Sequence, residues 1–335
     1  MIMRVIRTAT LLASLTLVSV SGASEATQAA TTCSPTGFAR DAINLTAAII
    51  NPAGTVRGDV NATGCNIGIY YGPGTTGSVD HANVYGANYY GVVNNGGTVT
   101  VTQSMIHDIG ERPLNGDQHG VGIYFAFGNV ESGTISHDTL YNYQKGGIVV
   151  NGPGTSATVD HNVVEGQGPV SYIAQNGIQF GYGSTGTASQ NQVSGNSYTG
   201  PSLAASGGII VVGGDCYGGA TTDNVTVDHN QLTGNDIGVW FSNLDSSCSN
   251  PVNTPTGDVA SHNIITNNAV NNTTGNGPGA GYQAGIADQG DLDVLDHNVI
   301  SGVGYTPVAN PPPYLFCIDD SATNNLVESH NNCSK

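Results

Sequence analysis

Lys145, in the stretch YNYQKGGIVVNG from Tyr141 to Gly152, is the only lysine before Lys335 in a chain with seven Lys and Arg in all. His119, in DQHGVGIY, stands apart from the pattern that most other histidines follow, close behind a segment that contains Arg112 and Asp117. Tyr124 lies five residues further on. Such groups move protons and hold anions, so Lys145, His119, Arg112 and Tyr124 are the candidate catalytic set.

Two interleaved repeats must position these residues. The first is a glycine followed by Ile or Val, with the glycine at 68, 91, 122, 147, 177, 208, 238 and 285. The second is a run of β-formers ending in a polar pair, as in SVDHANV, ATVDHNVV and VLDHNVI. Seven of the nine histidines (81, 137, 161, 229, 262, 297 and 330) fall in or beside this second slot and read as turn residues. Asn162, Asn191, Asn230, Asn263, Asn298 and Asn331 follow in equivalent places, where a side-chain amide can cap turn groups and bond to its copy one coil away.

Two short strands per unit and no helical periodicity predict an all-β fold, a right-handed parallel β-helix solenoid of about eight to nine coils. Glu111 to Gln118 and Asn250 to Tyr282 are expected as loops that project from the stack. Strand alternation would send the Ile or Val inward and leave the glycines outward as a flat floor. Lys145, Gln175 and Asp236 then stand on one wall, with Gln144 beside Lys145, and Tyr70, Tyr124, Gln179 and Trp240 on the other. Aromatic faces, amides and acids along a trough suit a polysaccharide, with Gln144, Gln175, Gln179, Trp240, Tyr70 and Asp236 as substrate-binding candidates. The alternative for Trp240 is packing beneath the loop that follows it.

Composition agrees with many strands and tight turns: 48 glycines, 9% charged residues and a net charge of −17. Such acidity excludes nucleic acid as a partner. Residues 1–30, with Arg4, Arg7 and an apolar stretch from Ala9 to Val20, have the layout of a cleaved secretory signal ahead of a single domain at 31–335. No later segment is long and apolar enough for membrane insertion. The six cysteines are expected to pair as sequence neighbours, 33 with 65, 216 with 248 and 317 with 333, although fifteen connectivities are possible. The segments around Cys33 to Cys65 and Cys317 to Cys333 are expected to cap a monomer that uses no organic cofactor.

The repeats resemble those of the pectate-lyase-like superfamily of secreted β-helix proteins, which includes polysaccharide lyases, polygalacturonases and epimerases. The resemblance implies β-elimination on a uronate-containing glycan, with Lys145 as the base and His119 or Tyr124 as proton donor. Arg112, or Ca²⁺ held by Asp117 or Asp236, would neutralise the uronate carboxylate. The negative net charge, however, repels a polyuronate. That leaves open a glycoside hydrolase of a neutral polysaccharide, which needs two carboxylates, and a non-catalytic glycan-binding or adhesive surface protein.

Overall fold

A computed structural model describes residues 32–40, 42–127, 130–202, 204–272 and 281–334. The expected secretory signal at 1–30 lies outside them. Each regular coil carries three strands rather than two, for example Gly146–Asn151, Ser156–Asp160 and Val163–Val170. The first strand of each coil joins an eleven-stranded sheet and the others an eighteen-stranded sheet. In the smaller sheet Ser34–Arg40 runs antiparallel to Ile43–Ile50, and the other ten strands stack parallel up to Tyr314–Asp319. The glycine pattern undercounts the coils because Ile43–Ile50 stacks with Ala48, not glycine, in the slot.

The additional strand arises at the histidine slot. The seven slot histidines, with Gln103 and Gln190, take φ between 48 and 57° and turn the chain within the larger sheet. The residue after each turn points inward and builds a ladder. Asn162 donates from Nδ2 to Ile135 O at 2.9 Å, and its N–H donates to Asn191 Oδ1 at 3.0 Å. Asn191, Asn230, Asn263 and Asn298 repeat both bonds one coil at a time. Buried polar turns are thereby satisfied without water.

Asp138 occupies the same ladder with an acid in place of the amide. Its Oδ1 accepts from Ser104 N at 2.8 Å, and its N–H donates to Asn162 Oδ1 at 2.9 Å. Its buried Oδ2 stands where the neighbouring amides donate, and no donor reaches it. A protonated carboxyl suits that slot, and burial pushes the pKa up to about 8. Because an unfolded Asp titrates near ~4, the native state loses stability as pH rises from there to about 8. Asp138→Asn should therefore raise stability by about 1–3 kcal/mol at neutral pH and flatten that slope. Melting curves at several pH values check this; the same pH dependence in both proteins would refute it.

The residues after the glycines, among them Ile69, Val92, Ile123 and Ile148, are fully buried in one long core against Val84, Ile106, Leu140 and Val164. The glycines themselves correct the sequence reading: they face inward and make no outward floor. A Cβ on Gly91 would stand 2.6 Å from Ile106 Cγ2, and one on Gly122 2.8 Å from Leu140 Cδ2. Alternation breaks at each glycine, because glycine and its successor both face the core. Val121, which strict alternation with Ile123 would place inside, accordingly lies with Tyr90 and Tyr124 in an outer apolar cluster.

The disulfides Cys33–Cys65, Cys216–Cys248 and Cys317–Cys333 follow the expected neighbour pairing. They are compatible with an extracellular location, and no helix among the described residues is long and apolar enough to cross a membrane. The span 250–282 is not one loop: Val259–Ser261 and Ile264–Thr266 rejoin the stack within it. The irregular excursions lie before and after these strands.

Candidate functional site

The outer face of the smaller sheet carries a groove between the residue before each glycine and the second residue after it. A cavity of about 500 Å³ opens there, lined by Lys145, Gln179, Tyr182, Tyr217 and Trp240 among others. A smaller cavity of about 180 Å³ adjoins it, lined by Arg40, Tyr124 and Asn151 and sharing Gln118, Lys145, Gln179 and Tyr182 with the first. No Asp or Glu stands among the described residues lining either cavity.

Lys145 is half-buried, and its Nζ donates to Ala174 O at 2.7 Å. Desolvation of the ammonium pushes its pKa down to about 8. Among the described residues it makes no ion pair, whereas Arg57 pairs with Asp80 and Arg112 with Asp108.

The structure brings together fewer of the expected residues than the sequence suggested. Tyr124, Gln179 and Trp240 line the groove with Lys145. Trp240 donates from Nε1 to Gln289 Oε1 at 3.1 Å, which fixes the ring as a wall. Gln179 donates from Nε2 to Asn151 Oδ1 at 3.0 Å.

His119 is buried elsewhere, stacked on Tyr89 at 3.8 Å and bonded through Nε2 to Glu111 Oε1 at 3.1 Å. Arg112 is held outside the groove by Asp108 Oδ1 at 2.9 Å. Tyr70 lies in the outer apolar cluster, where its hydroxyl accepts from Asn95 Nδ2 at 2.8 Å.

The wall assigned to Gln175 and Asp236 is a corner of the coil rather than part of the groove. Gln175 is fully buried and donates to Tyr143 O at 2.7 Å. Asp236 accepts from Ser197 Oγ at 2.7 Å, Tyr198 N at 2.8 Å and Ser206 N at 2.9 Å, and burial lifts its pKa to about 6. Gln144, also buried, accepts from Glu111 N at 3.0 Å and donates to Asp117 O at 2.8 Å. It thus pins the loop that delivers Gln118 to the groove lip.

Among the groove residues that escaped the sequence reading are Arg40, Tyr182 and Tyr217. Arg40 ends the antiparallel cap strand and donates to the hydroxyls of Tyr90 and Tyr124, the latter at 3.3 Å. Tyr182, in a turn with φ 57°, faces both cavities, and burial raises its pKa. Tyr217 ends a short 3₁₀ helix tied by Cys216–Cys248, and its hydroxyl meets Ser242 Oγ at 2.7 Å. The single signal in the sequence was Cys216, whose bond to Cys248 places its neighbour.

Three-strand coils stacked in parallel around one apolar column, with an open trough on one face, define a parallel β-helix. The chain belongs to the family described as right handed beta helix region, which matches residues 49–217. No curated protein matches it. Among solved structures it is similar to "The complex structure of XylC with xylose", at 12% identity and a TM-score of 0.43 over 70% of this chain. It spans 37% of that protein's length. It is also similar to the Azotobacter vinelandii mannuronan C-5 epimerase AlgE4 A-module, at 12% identity and a TM-score of 0.21 over 85% of this chain and 87% of the other.

Proposed function

We propose that this protein is a carbohydrate-active enzyme, a polysaccharide lyase that cleaves a uronate-containing glycan by β-elimination. The observation that carries this reading is Lys145: a groove lysine bonded to a carbonyl, with its pKa lowered to about 8, inside a cavity walled by aromatic and amide side chains. That value lies close to the range in which lysine serves as a general base. Lys145 Nζ takes the proton α to the uronate carboxylate, and the electron pair becomes the new C=C bond. The β C–O bond then breaks, and its oxygen takes a proton from the neutral phenol of Tyr182, which faces Lys145 in both cavities.

Arg40 supplies, within the same groove, the anion-neutralising charge first assigned to Arg112. Calcium does not fit this donor set, which offers two cations and no carboxylate among the described lining residues. Asp236 is already occupied by backbone and side-chain donors, and Asp117 accepts from Asn115 on the exposed loop. The same lack of carboxylates disfavours two-carboxylate glycoside hydrolysis.

The test is a panel of uronate-containing and neutral polysaccharides, with absorbance near ~235 nm, which reads the unsaturated uronate product, followed alongside reducing ends. We expect absorbance and reducing ends to rise together on a uronate polymer, undiminished by a calcium chelator. Reducing ends without absorbance would show hydrolysis instead, and binding without product would leave a lectin-like groove.

A further inference from the structure

At the bend within the larger sheet, outside the groove, the slot histidines stack coil upon coil. His229, His262 and His297 follow one another at 4.7 and 5.1 Å between ring centres, and His297 meets His330 at 4.4 Å. The residues just before them alternate along this run, as Asp228-His229, Ser261-His262, Asp296-His297 and Ser329-His330. The register places Asp228 beside Ser261 and Asp296 beside Ser329.

Each Asp-His coil and the Ser-His coil after it form the same constellation. Asp228 Oδ2 meets His229 Nδ1 at 2.6 Å, and its Oδ1 meets Ser261 Oγ at 2.6 Å and His262 Nδ1 at 3.4 Å. Asp296 Oδ2 meets His297 Nδ1 at 2.8 Å, and its Oδ1 meets Ser329 Oγ at 2.6 Å and His330 Nδ1 at 3.2 Å. In each group one carboxylate oxygen and two imidazole nitrogens lie within 4.8 Å of one another.

We propose that this row of bends binds two divalent first-row transition-metal ions, one at Asp228, His229 and His262 and one at Asp296, His297 and His330. Two imidazoles and a carboxylate suit zinc or copper at metal–nitrogen distances of about 2.0–2.1 Å. The ion would replace the Nδ1 hydrogen bonds to the carboxylate, so the nearer ring of each group turns slightly away from its aspartate while the other moves in. The serine hydroxyl steadies the carboxylate as an outer-shell partner. The outer side of each site stays open, so a further ligand from solvent or from a polymer can join the ion.

The chain carries its own comparison. Asp80-His81 is followed by Thr102-Gln103, and Asp160-His161 by Ser189-Gln190, in the same register. Gln103 and Gln190 take φ of 48 and 56°, so glutamine fills the bend and supplies no imidazole. The fold therefore needs the left-handed turn, not the histidine, and His→Gln is a substitution the stack already tolerates. A third group, His137 with Asp160 and His161, draws its extra histidine from the preceding coil and is not part of the proposal.

Equilibrium dialysis of the untagged full chain against Zn²⁺ at about pH 7.5 tests this, with metal content read per chain. The double variant His262→Gln/His330→Gln should hold two equivalents fewer than the wild type, while His81→Gln, outside both sites, should match it. Cu²⁺ should bind more tightly than Zn²⁺ and show nitrogen coupling in its electron spin resonance spectrum. Asp228→Asn/Asp296→Asn provides a second variant should the first fail to fold. A loss of fewer than two equivalents in a folded variant would overturn the proposal.

Discussion

Lys145→Gln should abolish the formation of unsaturated ends by at least about 10²-fold and leave the melting temperature nearly unchanged. Glutamine is the informative replacement because Gln175, one coil on, already uses that side chain to donate to a corner carbonyl. Lys145 makes a bond of the same kind to Ala174 O. Were the lysine only a corner tie, glutamine would preserve both fold and activity. The wild-type rate should also rise with pH toward a plateau above about 8, where the free amine predominates. At pH 7 such a group is about one-tenth deprotonated, on the order of 10²-fold more than a lysine of ordinary pKa. A flat profile between about pH 6 and 9 would remove Lys145 from the proton transfer.

Gly147→Ala should destabilise the stack by about 3 kcal/mol, a large effect for one methyl group. Its Cβ would stand 2.4 Å from Val164 Cγ1 and 2.7 Å from Gly177 O. The valine could shift, but the carbonyl is held in the next coil's strand of the same sheet and cannot. The backbone at Gly147 is not in the left-handed region, so the cost is steric alone. Gly168→Ala is the opposite case, with open space for a Cβ but φ of 76°. Chemical denaturation of Gly147→Ala reads the difference directly, and a neutral result would mean that the glycine column faces solvent after all.

The repeat was legible because each coil buries the same apolar positions and spaces them with glycine. The facing of those glycines was not, since regular alternation has no way to register a residue that leaves it. The third strand was hidden for a related reason: His and Asn at the slot signal a turn, but not that the chain resumes the same sheet after it. At the site, Lys145 was conspicuous because the chain has so few cations. Arg40, Tyr182 and Tyr217 were not, because a cap strand, a left-handed turn and a disulfide-tied excursion bring them to Lys145 from distant parts of the sequence. His119 and Arg112 misled for the converse reason: they are close in sequence to the groove, but Glu111 and Asp108 turn them away from it.

The disulfides near the two ends of the stack set how the array comes apart. Repeats that touch only their neighbours fray from their outermost members, each lost coil exposing the next. Here Cys33–Cys65 ties the first described strands to the coil above, and Cys317–Cys333 clasps two strands of the last coil together. At the first described coil the stitch runs between coils, so those strands cannot leave alone, whereas the last described coil is closed only upon itself and can still lift off its neighbour as one clasped unit. Thiol reduction should therefore add fraying at the first coils, where the cross-coil tie is lost, and alter the order of opening less at the other rim.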